Sequence, residues 1–452
     1  LRSNLLKIDG VPWIVASDAY IYPDSGKVEI QPGGKMTTLT NARIVADTVS
    51  KYHVINRAEV NILGRKEYRA KGFYEYNVPG HEQEIWFEQI VGTRVGPGRM
   101  SEKASVTRAS AEIKPEDGFF MGDHFEYFGT IELSAEKPLL KFKGFARMQS
   151  ETLPGRHWFS IDCEADRNNL VLPFDTPKNY EGQPLATGFY LSKETGNPYP
   201  RIMMPLYFRR DRPLLPVTGV IRYEPSLRRF VMGDSARVLG NALTGNMLVY
   251  YDRNRKVEGS GKIGLGSGLQ FVSVDAAGTI ETEFSGEIVD STLGITTGRK
   301  EIRAEVMAGI RLHLPDNLLR LMLLDFQSET FGTDYIVYAT DIAFYQRAVA
   351  TLFPMEDKNI QNAVSNLAGG TLQLPGKLNK YTLLFSKIPL RWDPDYQSFI
   401  STEDKLGLVS IAGEMFNRQV KAYVEFKMPS NGQDRLYVYL ESPAGYYYFF
   451  GF

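Results

Sequence analysis

Apolar and polar residues alternate with a period of two along much of this chain. Val420, Ala422, Val424, Phe426 and Met428 are interleaved with Lys421, Tyr423, Glu425 and Lys427, and the run from Val54 to Ile62 carries a similar pattern. A period of two puts every second side chain on one face of a pleated strand, so these runs predict half-buried β-strands. Pro429-Ser430-Asn431-Gly432 supplies turn residues before Leu436 to Leu440 resumes as a strand, so the C-terminal part reads as a hairpin. The 25 Tyr and 26 Phe among 452 residues push the same way, because flat rings pack well on a pleated surface.

Within these runs one unit recurs: an apolar strand ending in Tyr or Trp, an acidic or proline turn, a second strand, then often glycine. Five stretches fit it. They start at Ala19, Ile131, Val220, Leu248 and Leu390, and their turns are built around Asp24, Pro138, Pro225, Asp252 and Pro394. The aromatic packs the strand end, Asp or Pro shapes the turn, and glycine permits a bulge or tight bend. No such unit buries its apolar face alone, so several together predict a continuous β core. The irregular intervals between copies also fit hairpins of an ordinary all-β protein.

One stretch breaks the period. Tyr338, Ile342, Tyr345, Val349 and Leu352 recur at spacings of four and three, which predicts an amphipathic helix capped by Asp334 and ended by Pro354. A shorter helix is expected to start near Pro315-Asp316 and cover Leu318 to Phe326, and a third to cover Asp357 to Leu367. The expected organisation is an N-terminal β region over 1–153, a central β region over 154–313, a helical insert over 314–370 and a C-terminal β region over 371–452. The predicted fold class is mainly β: an elongated or multi-domain antiparallel hairpin array, jellyroll-like, with a small helical insert.

Charge and cysteine usage narrow the functions. The 52 basic and 53 acidic residues leave a formal net charge of −1, which provides no field to gather nucleic acid or an anionic membrane. A single cysteine, Cys163, excludes an internal disulfide and a cysteine-rich zinc site. Even Leu318 to Leu324 is interrupted by Arg320, so no transmembrane helix is expected. The chain opens on Leu1-Arg2-Ser3 and stops inside an aromatic run, so a processed or partial chain is expected.

Few residues carry a chemical signal. Gly259-Ser260-Gly261-Lys262-Ile263-Gly264 spells a dinucleotide-binding loop, which needs a helix N-terminus behind it; here a Gly-rich segment passes into a strand. Glycines at bulges or bends are the expected reading, and no cofactor is expected. His53, His81, His124, His157 and His313 lack metal-ligand spacing and read as structural or surface residues. Asp123, His124 and Glu126 crowd one segment with groups suited to acid, base or hard-metal chemistry, but on a strand Asp123 and Glu126 point to opposite faces. Cys163 between Asp162 and Glu164 makes a poor thiolate, and no serine sits in a Gly-x-Ser-x-Gly elbow. No catalytic residue or metal ligand is assigned, although two carboxylates that meet only in space would make a glycosidase.

The unit of strand, Tyr-Asp, short turn, apolar-x-apolar and Gly resembles the repeat of the lipopolysaccharide-transport β-jellyroll (OstA-like) family. Gly245 to Ile263 carries the resemblance best, and the segments Ala16 to Met36 and Asn41 to Asp47 are similar. It implies an extended folded sheet around an apolar groove for acyl chains, in the periplasm of a Gram-negative cell. Val249 and Val257 would line that groove. The helical insert, the irregular intervals and the absent glycine of the fifth copy depart from the family pattern.

The expected function is a non-enzymatic structural or partner-binding β protein of a bacterial cell-envelope assembly, in the periplasm or associated with the outer membrane. Other envelope proteins would be its partners. Tyr446, Tyr447, Tyr448, Phe449 and Phe450 are the expected partner-binding strand, because one strand face cannot bury five consecutive rings. A lipid or glycolipid carrier and a carbohydrate-active enzyme are the alternatives.

Overall fold

Long antiparallel strands dominate the computed structural model, so the chain is mainly β, and one of its large sheets curls into a half-barrel. The structure describes residues 6–14, 19–32, 36, 38–46, 53–64, 67–94, 105–133, 139–150, 152–153, 157–193, 196–205, 211–242, 245–264, 278–287, 305–328, 337–339, 378–406, 409–411, 414–416, 420–429, 434–444 and 447–451. Two units divide the chain: residues 1–185, 203–206 and 218–231 form the first, and 186–202, 207–217 and 232–452 the second. Pro154 lies inside the first unit, and Leu314 and Gly370 inside the second.

The first unit begins with β1 (Leu6–Asp9), β2 (Trp13–Ile14), β3 (Ala19–Tyr22), β4 (Lys27–Ile30), β5 (Leu39–Ala46), β6 (His53–Gly64) and β7 (Glu67–Glu75). It continues with β8 (Glu84–Arg94), β9 (Ser105–Ile113), β10 (Phe119–Gly122), β11 (Phe125–Leu133), β12 (Leu140–Met148) and β13 (Phe159–Ala165). Its antiparallel sheet has the order β13-β12-β11-β9-β8-β7-β6-β5-β3-β2, with β10 on β11. Ile55, Val60, Tyr68, Phe87, Ile131, Phe142 and Phe159 are buried on one face of it.

Bulges keep that face buried while the sheet bends. Extra residues shift the register near Asn41 on β5, at Asn56-Arg57 on β6 and at Glu88-Gln89 on β8. Asn41 (φ 54°) and Arg57 (φ 47°) adopt the left-handed conformation there. Along β6 the buried positions run His53, Ile55, then Ala58, Val60 and Ile62, so the alternation changes phase at the bulge. Gly129 and Gly144 face each other across β11 and β12. A Cβ on Gly144 would sit 2.2 Å from the Phe128 carbonyl oxygen and 2.8 Å from Gly129 Cα, so the close approach of the two backbones requires glycine.

Beyond β13 come β14 (Leu172–Pro173), β15 (Leu185–Leu191), β16 (Pro198–Pro205), β17 (Arg212–Pro216), β18 (Val220–Glu224) and β19 (Arg229–Gly233). β15, β16 and β17 form a three-stranded sheet with β15 in the middle, while β18 lies between β14 and β19. In the second unit Arg201 is 3 % exposed and pairs with Asp211 at 3.3 Å, near the rings of Tyr190 and Tyr199. Asp211 also accepts from the Tyr199 hydroxyl and the Lys193 N–H. Such full hydrogen bonding is what lets a buried ion pair persist.

The second unit proceeds through α1 (Ser235–Val238), β20 (Met247–Tyr251), β21 (Lys256–Gly264), β22 (Gly278–Glu287), β23 (Glu305–Pro315), α2 (Asp316–Gln327) and β24 (Val337–Ala339). It ends with β25 (Leu378–Asp393), β26 (Ser398–Ser401), β27 (Lys405–Leu406), β28 (Val409–Ile411), β29 (Glu414–Phe416), β30 (Val420–Lys427), β31 (Arg435–Glu441) and β32 (Tyr447–Gly451). Its main sheet runs β20-β21-β22-β23-β25-β26-β30-β31-β32-β24. The C-terminal hairpin has the expected alternation: Val420, Ala422, Val424, Phe426 and Met428 are buried, and Val424 pairs with Val438.

Four of the five expected hairpins pair as such: β11 with β12, β18 with β19, β20 with β21, and β25 with β26. Arg228 (φ 47°), Arg255 (φ 59°) and Gln397 (φ 49°) close the last three turns in the left-handed conformation, so glycine is not what turns these chains. The first expected hairpin is a correction. The turn after Tyr22 forms, with Gly26 N–H donating to Pro23 O at 3.1 Å, yet β3 pairs with β2 and β5 while β4 pairs with β1. Ile44 and Ala46 of β5 stand opposite Ile21 and Ala19, and all four are buried in the apolar layer of the larger sheet.

The helix expected from Pro315 is α2. The longer helix is corrected at its start, since Tyr338 lies in β24 and pairs in parallel with Tyr448; the rest of that helix, and the one over Asp357 to Leu367, lie outside the described residues. Backbone pairing across the sheet outweighs the local helical spacing at Tyr338.

Two predictions follow from the packing. Gly144→Ala is expected to destabilise the first unit by about 3 kcal/mol, at the upper end of overpacking costs, read as a lower urea midpoint; an unchanged midpoint would mean that the β11 and β12 backbones have room. On α2, burial pushes the Asp325 carboxyl up to about 6 from 3.8, and its Oδ2 has no hydrogen-bond partner. The fold therefore favours the protonated form, and stability from this group is lost as pH rises from 3.8 through about 6. Asp325→Asn is expected to melt above the parent chain at pH 7.5, with the gap closing towards pH 4.5; a gap that widens on acidification would contradict this.

Candidate binding groove

The pairing of β8 with β9 runs from Arg94 opposite Ser105 to Gln89 opposite Ser110. It ends there because the bulge at Glu88-Gln89 turns β8 aside, while β9 carries on from Ser110 to Ile113 against β11. An open groove of about 980 Å³ lies at this parting. Solvent-facing side chains of three strands line it: Glu84, Trp86 and Glu88 from β8, Ser110 and Glu112 from β9, and Thr130 from β11. The turn Gly80-His81-Glu82-Gln83 and residues Asp117 to Phe119 complete the rim.

Gln83 locks that rim. Its side-chain amide donates to Phe120 O (2.9 Å) and accepts from Phe120 N–H (2.7 Å), imitating one rung of a β-ladder. Gln83 N–H donates to Asn77 Oδ1 (3.0 Å), and the Tyr76 hydroxyl donates to Met121 O (2.7 Å). The His81 ring stacks on Phe120 with centroids 3.7 Å apart. Trp86 packs on Phe73 at 4.2 Å, and the Arg57 guanidinium lies 4.2 Å from the Phe73 centroid. The β6 bulge that places Arg57 thus also supports the aromatic wall.

Glu82, Glu84, Glu88, Glu112 and Asp117 line the groove, and among the described residues no lysine or arginine does. Four of these carboxylates are held by the fold. Glu84 pairs with Arg57, Glu88 accepts from the Trp86 indole N–H, Glu112 accepts from the Thr130 hydroxyl (2.9 Å), and Asp117 accepts from Lys114 N–H (2.8 Å). The result is a set of fixed anionic acceptors around one half-buried indole.

No protein-family model matches the sequence, and no curated protein or solved structure matches it. Function therefore rests on the residues themselves.

The residues singled out from sequence fall elsewhere. Asp123 and His124 meet, with Nδ1 to Oδ1 at 2.6 Å, and the His124 ring stacks on Tyr223 at 3.8 Å. Glu126 is buried and bonded to Arg147 and Gln149, so the three do not form one acid–base group. Among the described residues no three His, Cys, Asp or Glu side chains converge on a metal position. Burial, with Asp162 adding to it, pushes the Cys163 thiol up to about 11, which fits the poor thiolate. Gly259 lies within strand β21, where a Cβ would sit 2.8 Å from the Phe189 ring, so its glycine reflects close packing.

The aromatic run is a correction in kind. Tyr446 lies outside the described residues, but Tyr447 to Gly451 is hydrogen-bonded to β31 on one side, and Tyr447, Tyr448 and Phe449 pair with β24 on the other. Its backbone is occupied along Tyr447, Tyr448, Phe449 and Phe450, and Tyr448 is fully buried. Val249 pairs with Glu258 and Val257 with Tyr250, which puts the two valines on opposite faces of the β20–β21 hairpin. They do not share a groove wall.

The groove escaped the sequence reading, although Glu84, Trp86 and Glu88 stand at period two on the polar face of β8, a signal that was there to be read. Gln83→Ala is expected to cost about 1–3 kcal/mol through the unsatisfied Phe120 backbone and to speed amide exchange over 77–83 and 119–121. Unchanged exchange would show that Gln83 does not hold the rim.

Proposed function

We propose that this chain is a non-enzymatic, partner-binding β protein whose binding surface is the groove where β8 and β9 part. The observation that carries the reading is the pinned acidic lining around Trp86. Groups fixed by Arg57, Thr130 and the Lys114 backbone suit recognition, which needs acceptors held in place before the partner arrives. An envelope setting, with other envelope proteins as partners, is supported by the repeat resemblance alone. A lipid carrier is less favoured, because Val249 and Val257 face opposite ways.

Replacing the exposed Gln89 at the groove by a photo-reactive amino acid tests the reading in the producing cell. Irradiation is expected to give a discrete adduct with a macromolecule, and Trp86→Ala is expected to reduce it. No adduct from the groove, or polysaccharide hydrolysis by the purified chain that vanishes with Glu112→Gln, would overturn the reading.

A further inference from the structure

We propose that the groove takes a lysine- or arginine-bearing peptide in extended form, which pairs with the open edge of β8; this deepens, and rests on, the binding reading above. From Glu84 to Phe87, β8 is paired with β7 through Glu75 to Gly72, while its pairing with β9 stops at Gln89. No strand of the described residues pairs with Glu84 to Glu88 on the groove side. That edge therefore presents backbone N–H and C=O groups to the groove, the arrangement that adds an extended chain as a further strand.

Charge selects the occupant. The chain as a whole has a formal net charge of −1, so the acidity of the groove is local. Carboxylates of Glu82, Glu88 and Glu112 line it, with no lysine or arginine of the described residues among them. Glu84, Trp86 and Glu88 are spaced two apart, which is also the spacing of side chains on one face of an added strand. A lysine or arginine of that strand would lie over the Trp86 face, within the roughly 6 Å at which a cation is attracted by an indole. An oligosaccharide could use the indole and the carboxylates but has no use for a strand edge, so the open edge favours a peptide.

The test uses the full chain and three probes: a short peptide alternating lysine and threonine, the same peptide N-methylated at alternate residues, and a panel of neutral oligosaccharides. The parent peptide is expected to bind, to slow amide exchange at Glu84 to Glu88, and to bind less tightly as salt is raised. N-methylation, or the pair Glu88→Lys with Glu112→Lys, is expected to weaken it by about tenfold or more. Peptide binding without protection of Glu84 to Glu88, or unaffected by N-methylation, would overturn strand addition. Binding of oligosaccharides alone would overturn the peptide while leaving the groove a binding site. Failure of every probe overturns this proposal too, and the cross-link at Gln89 then decides the broader reading separately.

Discussion

A long strand can keep one face buried on a curling sheet only if extra residues are inserted where the curvature would otherwise turn the wrong side chains inward. The bulges near Asn41, at Arg57 and at Glu88-Gln89 do this in strands of one sheet. Each shifts the phase of alternation, so that Ile55 and Val60, or Phe87 and Ile90, still meet the same apolar layer. The same bulges place the features of the groove. Arg57 projects to pair with Glu84, and the bend at Glu88-Gln89 parts β8 from β9.

Sheet edges are the second theme. An unpaired row of backbone groups must be covered, charged or used. The aromatic strand β32 pairs with β31 from Tyr447 to Gly451 and, on its other side, with the short parallel strand β24 from Tyr447 to Phe449. Within that run Tyr448 is fully buried. The segment Glu84 to Glu88 is treated differently: its open side is bordered by carboxylates and an indole, a border that would repel another acidic edge and favour a basic chain.

Rigidity around the groove comes from polar bonds that act as backbone substitutes. The Gln83 amide completes a rung with Phe120, and the Tyr76 hydroxyl reaches Met121 O. Together with the buried side chains of Tyr76 and Val78, these bonds hold a turn of largely exposed residues against β10. A surface so held loses little freedom when it binds, which is the usual source of affinity in a shallow, wet site.

The period-two alternation from Val420 to Met428, the start of α2 after Pro315 and four of the five hairpins were legible in the sequence, because each rests on contacts between near neighbours in the chain. Of the two causes that raise the Cys163 thiol, burial is the larger and belongs to the fold, while only the smaller one, the adjacent Asp162, was legible in the sequence. Which strands pair was decided only by the tertiary structure: β3 joins β5 in place of β4, and Tyr338 joins β32 in place of a helix. Those choices depend on which apolar ladder or open edge lies nearby in space. The groove belongs to that second class. Glu84, Trp86 and Glu88 alternate visibly, but Glu112 and Thr130 join them only because the pairing of β8 with β9 stops at Gln89, and no local pattern records where a ladder ends.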